Sequence, residues 1–404
     1  MNVDISFSSP TALSDDEAHA ALKTAVAIVR KNIPQYTELS QASASVGGVY
    51  PTAPNTLWTN GFWVGELWLA YQATGDSAFR DCADAQVRSM DARIRDKIAV
   101  DHHDMGFLYS PSCVAAWKIT GDSTAREAAL RAAEQLASRY QPKGQFLQAW
   151  GAMGAQDNYR YIIDCLLNTP LLYWASRETG EARYADIARA HTRTCMAHSI
   201  RADGSTYHTF FMDSKTGAPL YGRTCQGYAD DSVWARGQAW GVYGSALANR
   251  YDAHESYRDA FRRTVRFFLQ KLPRDNVPYW DMIFNDDNAT HDGEREPKDS
   301  SAASIVACGL LDMAAQLSAE GDAATEEAAR YTHTARVLLK SLVDGYRVRE
   351  DDKANGLVLH GTYSKRSPYN TCTPEGVDEC VSWGDYFYME ALTRLVNPQW
   401  DLYW

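Results

Sequence analysis

The chain has 404 residues, 45% hydrophobic and 23% charged, with 26 Gly and 14 Pro; this balance excludes disorder, collagen and coiled coil. Its net charge of −11 argues against nucleic acid or an anionic lipid surface as partner. No run approaches the ~20 apolar residues of a membrane span.

The N-terminus lacks a basic region followed by a long apolar run, so no secretory signal is expected. Eight scattered cysteines without a CxxC pair read as reduced thiols of a cytoplasmic protein, Cys372 and Cys380 being a pair that could bridge. The 12 Trp, 23 Tyr and 12 Phe serve either core packing or stacking on sugar rings, and composition does not choose between them.

Two kinds of helical segment with 3.6-residue periodicity alternate along the chain. In order, an amphipathic segment precedes a less charged, more aromatic one: 16–32 then 60–73, 77–92 then 106–118, 123–139 then 160–177, 181–198 then 231–250, 255–271 then 299–318, and 322–346 then 383–395. Turns such as LAYQATGDSAF, AWKITGDSTA, YWASRETGEARY and the weaker QLSAEGDAA join them, the glycine ending one helix and the acid capping the next. Six outer and six inner helices predict an all-α fold, an (α/α)6 barrel, with residues 1–404 as one domain.

Polar and aromatic clusters sit where the inner helices begin. One mouth of the barrel is therefore expected to gather Asp104, Asp164, Asp230, Asp231, Asp299 and Asp385. Helix caps explain any one of these acids, but six clusters at one mouth point to a site. Paired carboxylates among aromatic rings suggest carbohydrate acid/base chemistry. Asp164 lies within the apolar run YIIDCLLNTPLLYW, where desolvation should keep it protonated. Asp104 follows His102 and His103 in a more polar segment and should stay ionised. His208 falls in DGSTYHTFF, a short strand or extended loop, and His360 in VLHGTY. No HExxH or i,i+4 histidine spacing occurs, so no metal and no other cofactor is expected; GxSxG, P-loop and GxGxxG motifs are absent too.

Seven segments in order, LWTNGFWVGELWLAY, HDMGFLY, IDCLLNTPLLYWAS, DGSTYHT, TCQGYADDSVWARGQAWGVYG, VPYWD with KDSSAASIVACGLL, and GVDECVSWGDYFYMEAL, resemble the unsaturated glucuronyl hydrolases, glycoside hydrolase family 88. The resemblance implies an (α/α)6 barrel. Its expected partner is an unsaturated uronate-containing oligosaccharide released by a polysaccharide lyase, and the reaction is hydration of the C4=C5 vinyl ether instead of attack at C1. By motif, Asp164 matches the general acid/base and Asp104 the second essential acid. His208, Gln226, Arg236 and Trp240 match the shell around the unsaturated ring, and Trp58, His103, Trp150 and His360 match further contacts. Arg236 is the candidate to balance the uronate carboxylate. Members favouring sulfated chondroitin have an Arg before the QG pair and an SxxSxK stretch. Here Cys225 takes the first position, and the stretch from Ser364 through Ser367 ends in Tyr369, which leans towards unsulfated or differently sulfated substrates. Lys365 and Arg366 are candidates to compensate, and 369–375 looks inserted. The rival readings are an unsaturated rhamnogalacturonyl hydrolase, a sugar epimerase on the same toroid, and a non-catalytic glycan-binding protein.

Overall fold

A computed structural model describes residues 11–291, 293–321 and 325–404. Among them the outer helices are α1 (Asp15–Asn32), α3 (Ser77–Arg95), α6 (Ser123–Ala137), α8 (Ala182–Ser199), α10 (Glu255–Gln270) and α12 (Thr325–Gly345). The inner ones are α2 (Asn60–Thr74), α4 (Met105–Tyr109) continued by α5 (Ala115–Thr120), α7 (Pro170–Thr179), α9 (Ala235–Tyr251), α11 (Ser300–Ser318) and α13 (Ser382–Val396). Each inner helix packs on the next, and α13 returns to α2, so the ring closes as the (α/α)6 barrel the periodicity predicts. Residues 322–324, expected to begin the last outer helix, and residues 1–10 lie outside the described residues.

Local chemistry sets the hairpins. Gly75 ends α2 in the left-handed region (φ 70°) and Asp76 accepts a hydrogen bond from the Ala78 amide to start α3, as a glycine C-terminus followed by an acidic N-cap should. The outer helices bury one face. The inner ones are buried nearly all round: α11 is long and apolar enough to cross a membrane, yet 89% of that stretch is enclosed by the protein.

Two inner segments depart from the expected continuous helices. The segment 106–118 is interrupted by a π-helical turn, Ser110–Val114, where Pro111 has no amide to donate. In 160–177 only Pro170–Thr179 is α-helix. Arg160–Ile162 is a strand paired with Thr209–Met212, and Ile163–Leu167 a 3-10 turn. Periodicity alone could not separate this short apolar run from a helix. The strand Thr209–Met212 begins just after His208 and also pairs with Pro219–Arg223. A hairpin of Gly361–Ser364 and Glu375–Glu379 rises before α13. All eight cysteines are free, Cys372 and Cys380 included.

Candidate active site

The inner helices begin at one mouth, around a cavity of about 360 Å³. Two loops carry the acids. Asp104 precedes α4, while Asp164 sits in the 3-10 turn before α7. Asn168 joins the two segments: its side-chain oxygen accepts from the Phe107 amide at 2.8 Å and its amide donates to the Asp164 carbonyl at 3.4 Å. Gly106 makes the approach possible, since a Cβ there would meet the Asn168 Cα at 2.3 Å.

His103 lies between the acids. Its Nε2 is 3.3 Å from Asp104 Oδ1 and 3.6 Å from Asp164 Oδ1. Burial lowers the His103 pKa to about 4, so the ring is neutral near pH 7, and a proton on Nε2 points at Asp104. Asp104 is itself buried, which alone would raise its pKa, but His103, His102 and the nearby Arg93 charge hold it below the usual carboxylate range. Asp164 goes the other way: burial first, then the negative charge of Asp104, raise it well above the ordinary value. Its Oδ1 has no hydrogen-bond partner, and neither does His103 Nδ1. The two carboxyls are thus pushed in opposite directions, Asp104 towards the ionised form and Asp164 towards the protonated one. One donor atom from each of the three side chains lies within 4.8 Å of the others, a grouping that no motif spacing foreshadows.

His208 is fixed from behind. Its Nδ1 accepts from the Cys225 and Gln226 amides at 3.0 and 3.2 Å, which places the ring proton on Nε2. Burial, then the Arg236 charge, lower its pKa to about 3. Trp58 donates to the Tyr363 hydroxyl at 2.8 Å and stacks on Trp383. Trp150, 38% exposed, forms the opposite rim with the Arg160 guanidinium over its ring. Gln226 and Ser364 complete the expected residues that line the cavity.

Four expected residues lie elsewhere. Arg236 is buried behind the wall, where it pairs with Asp299 at 3.1 Å and donates to the carbonyls of Thr362 and Tyr363. Three of its N–H groups are thus held by the protein, and its charge also reaches Asp164, where it opposes the rise in pKa. Trp240 lies under the floor against Phe107 and Phe387. Ser367 donates to the Tyr228 carbonyl and shapes a loop. His360 opens on a neighbouring cleft, paired with Asp378 at 2.7 Å. Of the other mouth acids, Asp299 caps α11 and Asp385 binds the Tyr50 hydroxyl and the Val358 amide. The cavity also takes in Ile162, Cys225, Tyr363, Thr371, Cys372, Thr373 and Glu375; of these the motifs singled out only Cys225, before the QG pair, and only the inserted look of 369–375 marked that stretch.

Comparison with known proteins agrees with this geometry. The family model described as Glycosyl Hydrolase Family 88 matches residues 28–370. The chain is 45% identical over 392 residues to the unsaturated chondroitin disaccharide hydrolase of Streptococcus pneumoniae, covering 97% of this chain and 95% of that one. The crystal structure of unsaturated glucuronyl hydrolase from Streptococcus agalactiae superposes with a TM-score of 0.90 at 40% identity, covering 99% and 98% of the two chains. A mutant of the S. agalactiae enzyme complexed with dGlcA-GalNAc6S superposes at 0.83, with 37% identity and coverages of 99% and 98%. A closed double ring of helices, two buried-end carboxyls at its mouth and a family match along most of its length make this chain a member of glycosyl hydrolase family 88.

Proposed function

We propose that the chain hydrates the C4=C5 double bond of unsaturated uronyl oligosaccharides left by polysaccharide lyases, glycosaminoglycan disaccharides among them. The observation that carries this reading is the pair of carboxyls on either side of His103 at the cavity floor, Asp164 with an unpartnered Oδ1 and pushed up by burial, Asp104 held down by His103 and His102; the names of the relatives supply the substrate class.

The C4=C5 unit is an enol ether, because C5 bears the ring oxygen. Asp164 delivers its proton to C4, and positive charge develops at C5, shared with the ring oxygen. Asp104, already anionic, stabilises that charge across a short distance. The Asp164 carboxylate then takes a proton from the water that adds at C5 and is restored for the next turnover. The resulting hemiketal opens to a C5 ketone, and the C1 hemiacetal releases the partner sugar. His103 keeps the two carboxyls apart, and the Nε2 proton of His208 and the amide of Gln226 serve ring oxygens. Trp58 and Trp150 supply apolar walls for sugar faces.

A second reading has one observation in its favour. The acids lie within 4.8 Å, near the ~5–5.5 Å of a retaining glycosidase pair, in which Asp104 would attack C1. A sulfur-linked analogue separates the two. Hydration at C5 consumes the double bond at a rate close to that of the oxygen-linked substrate. Attack at C1 leaves the double-bond absorbance of the thioglycoside nearly constant, and that outcome sinks the proposal.

A further inference from the structure

Two thiols that the hydration chemistry does not use line the same cavity. Cys225 lies on the connection after the strand Pro219–Arg223, and Cys372 on the loop between the two strands of the hairpin. These segments run against each other. Gln226 donates to the Tyr363 carbonyl at 3.3 Å, Asn370 to the Gly227 carbonyl at 2.9 Å, and Ser367 to the Tyr228 carbonyl at 2.5 Å. The Thr371 hydroxyl, one residue before Cys372, reaches the Cys225 sulfur at 4.0 Å. Burial, then the charge of Cys225, push the Cys372 thiol up. The other six cysteines are buried. Among them Cys380, the partner that sequence position alone suggests for Cys372, packs under Gly356, where a Cβ would meet its sulfur at 2.7 Å. Cys225 is only half-buried. The Arg160 guanidinium, over the Trp150 ring at the rim, is within electrostatic reach of it, and a cation beside an attacking thiolate promotes its chemistry.

We propose that Cys225 and Cys372 are a modification site, which a peroxide joins in a disulfide across the outlet of the cavity and a dithiol reopens. The Cys225 thiolate, the more exposed sulfur, attacks a peroxide oxygen; the O–O bond breaks and hydroxide leaves, giving a sulfenic acid. The Cys372 sulfur gives up its proton and attacks the Cys225 sulfur; the S–O bond breaks and water leaves. Two thiols are oxidised and one peroxide is reduced to two waters. A uronyl ring whose C4 meets Asp164 occupies the inner end, so the leaving sugar has to pass the bridged walls. Only this effect on rate rests on the hydration reading; the link itself concerns the chain's own sulfurs.

The test treats the folded wild type with hydrogen peroxide and maps it by proteolysis and mass spectrometry without reductant. The expected product is a peptide pair joined through Cys225 and Cys372, lighter than the separate peptides by two hydrogens. The oxidised protein should lose kcat/KM several-fold, read as loss of the double-bond absorbance, and dithiothreitol should restore it. Cys225→Ser and Cys372→Ser, each compared with its own untreated rate, should form no such link and show no loss that dithiothreitol reverses. The inference is overturned if oxidised wild type lacks the joined pair, if Cys225 ends as a sulfinic acid or linked to another cysteine, or if both serine variants lose activity reversibly as the wild type does. A linked protein with an unchanged rate overturns it too, because the bridge then leaves the outlet open. If the untreated wild type consumes no unsaturated disaccharide, the hydration reading fails, while the joined pair still decides whether the thiols meet. Cys225→Ser, at the more exposed position, carries the comparison if Cys372→Ser does not fold.

Discussion

At the C-terminal ends of the inner helices, Asp312 is fully buried and every oxygen is bound. Arg250 and Arg394 reach Oδ1 at 2.8 and 3.3 Å, and Gln316 donates to Oδ2 at 2.7 Å. Glu390 beside it binds Arg394, the Tyr243 hydroxyl and the Trp404 indole. Burial alone would raise Asp312, but the two guanidiniums bring it below the usual range. At the other end, Asp164 has an oxygen with no partner and is pushed up. A hollow of about 500 Å³ lies beside Asp312, larger than the one at the mouth, so size does not distinguish the ends. What does is whether the buried charge is already satisfied: a paired carboxylate holds helices together, and an unpaired one facing a cavity is available for chemistry.

Three substitutions probe that contrast. Asp164→Asn should lower turnover by ~10²–10⁴-fold or more while the folded protein is at least as stable as the wild type at neutral pH, because no hydrogen bond to Oδ1 is lost and the asparagine has no charge to bury. The Asp164 pKa is raised on folding, so its contribution to stability is full below the unfolded-state value and fades as pH rises through the folded-state value. Denaturant titrations from mildly acidic pH upwards should therefore show the wild type losing stability that Asp164→Asn keeps. Asp312→Asn should do the reverse. It leaves Arg250 and Arg394 buried without their counter-charge, costing about 3–5 kcal/mol in urea unfolding, with kcat of the folded protein unchanged. A full-strength fold in Asp312→Asn would break the comparison. The smallest effect is a shift in pH dependence. Asp104→Asn removes the negative charge that helps to raise Asp164, so the alkaline limb of its residual kcat/KM should move to lower pH; an unmoved limb means that burial alone sets Asp164.

Much of this was legible in the residues. Apolar spacing located the twelve helical segments, and the histidines of HHDMGF marked the acid that has partners against the one in YIIDCLLN that has none, although both are desolvated. What escaped depends on long-range pairing. Arg236 meets Asp299 63 positions away, and nothing local tells that its guanidinium is already bound. The Glu296 partner of Lys365 is equally remote in sequence, so the direction that lysine faces could not be read from the stretch containing it. Residues 160–162 look helical until the strand Thr209–Met212 is there to pair with them. Glu375 escaped because a strand register, not a motif, turns it towards the cavity.

The contact between Gly106 and Asn168 has a consequence for how such a site diversifies. The spacing of the two acids is set by main chain resting on main chain, with the missing methyl at position 106 acting as the gauge. The side chains that meet the second sugar hang instead on a hairpin and a long connection outside that contact. Substrate range can therefore change at the rim with the proton-transfer geometry left alone, whereas a single alanine at position 106 would wedge the acids apart without touching either one.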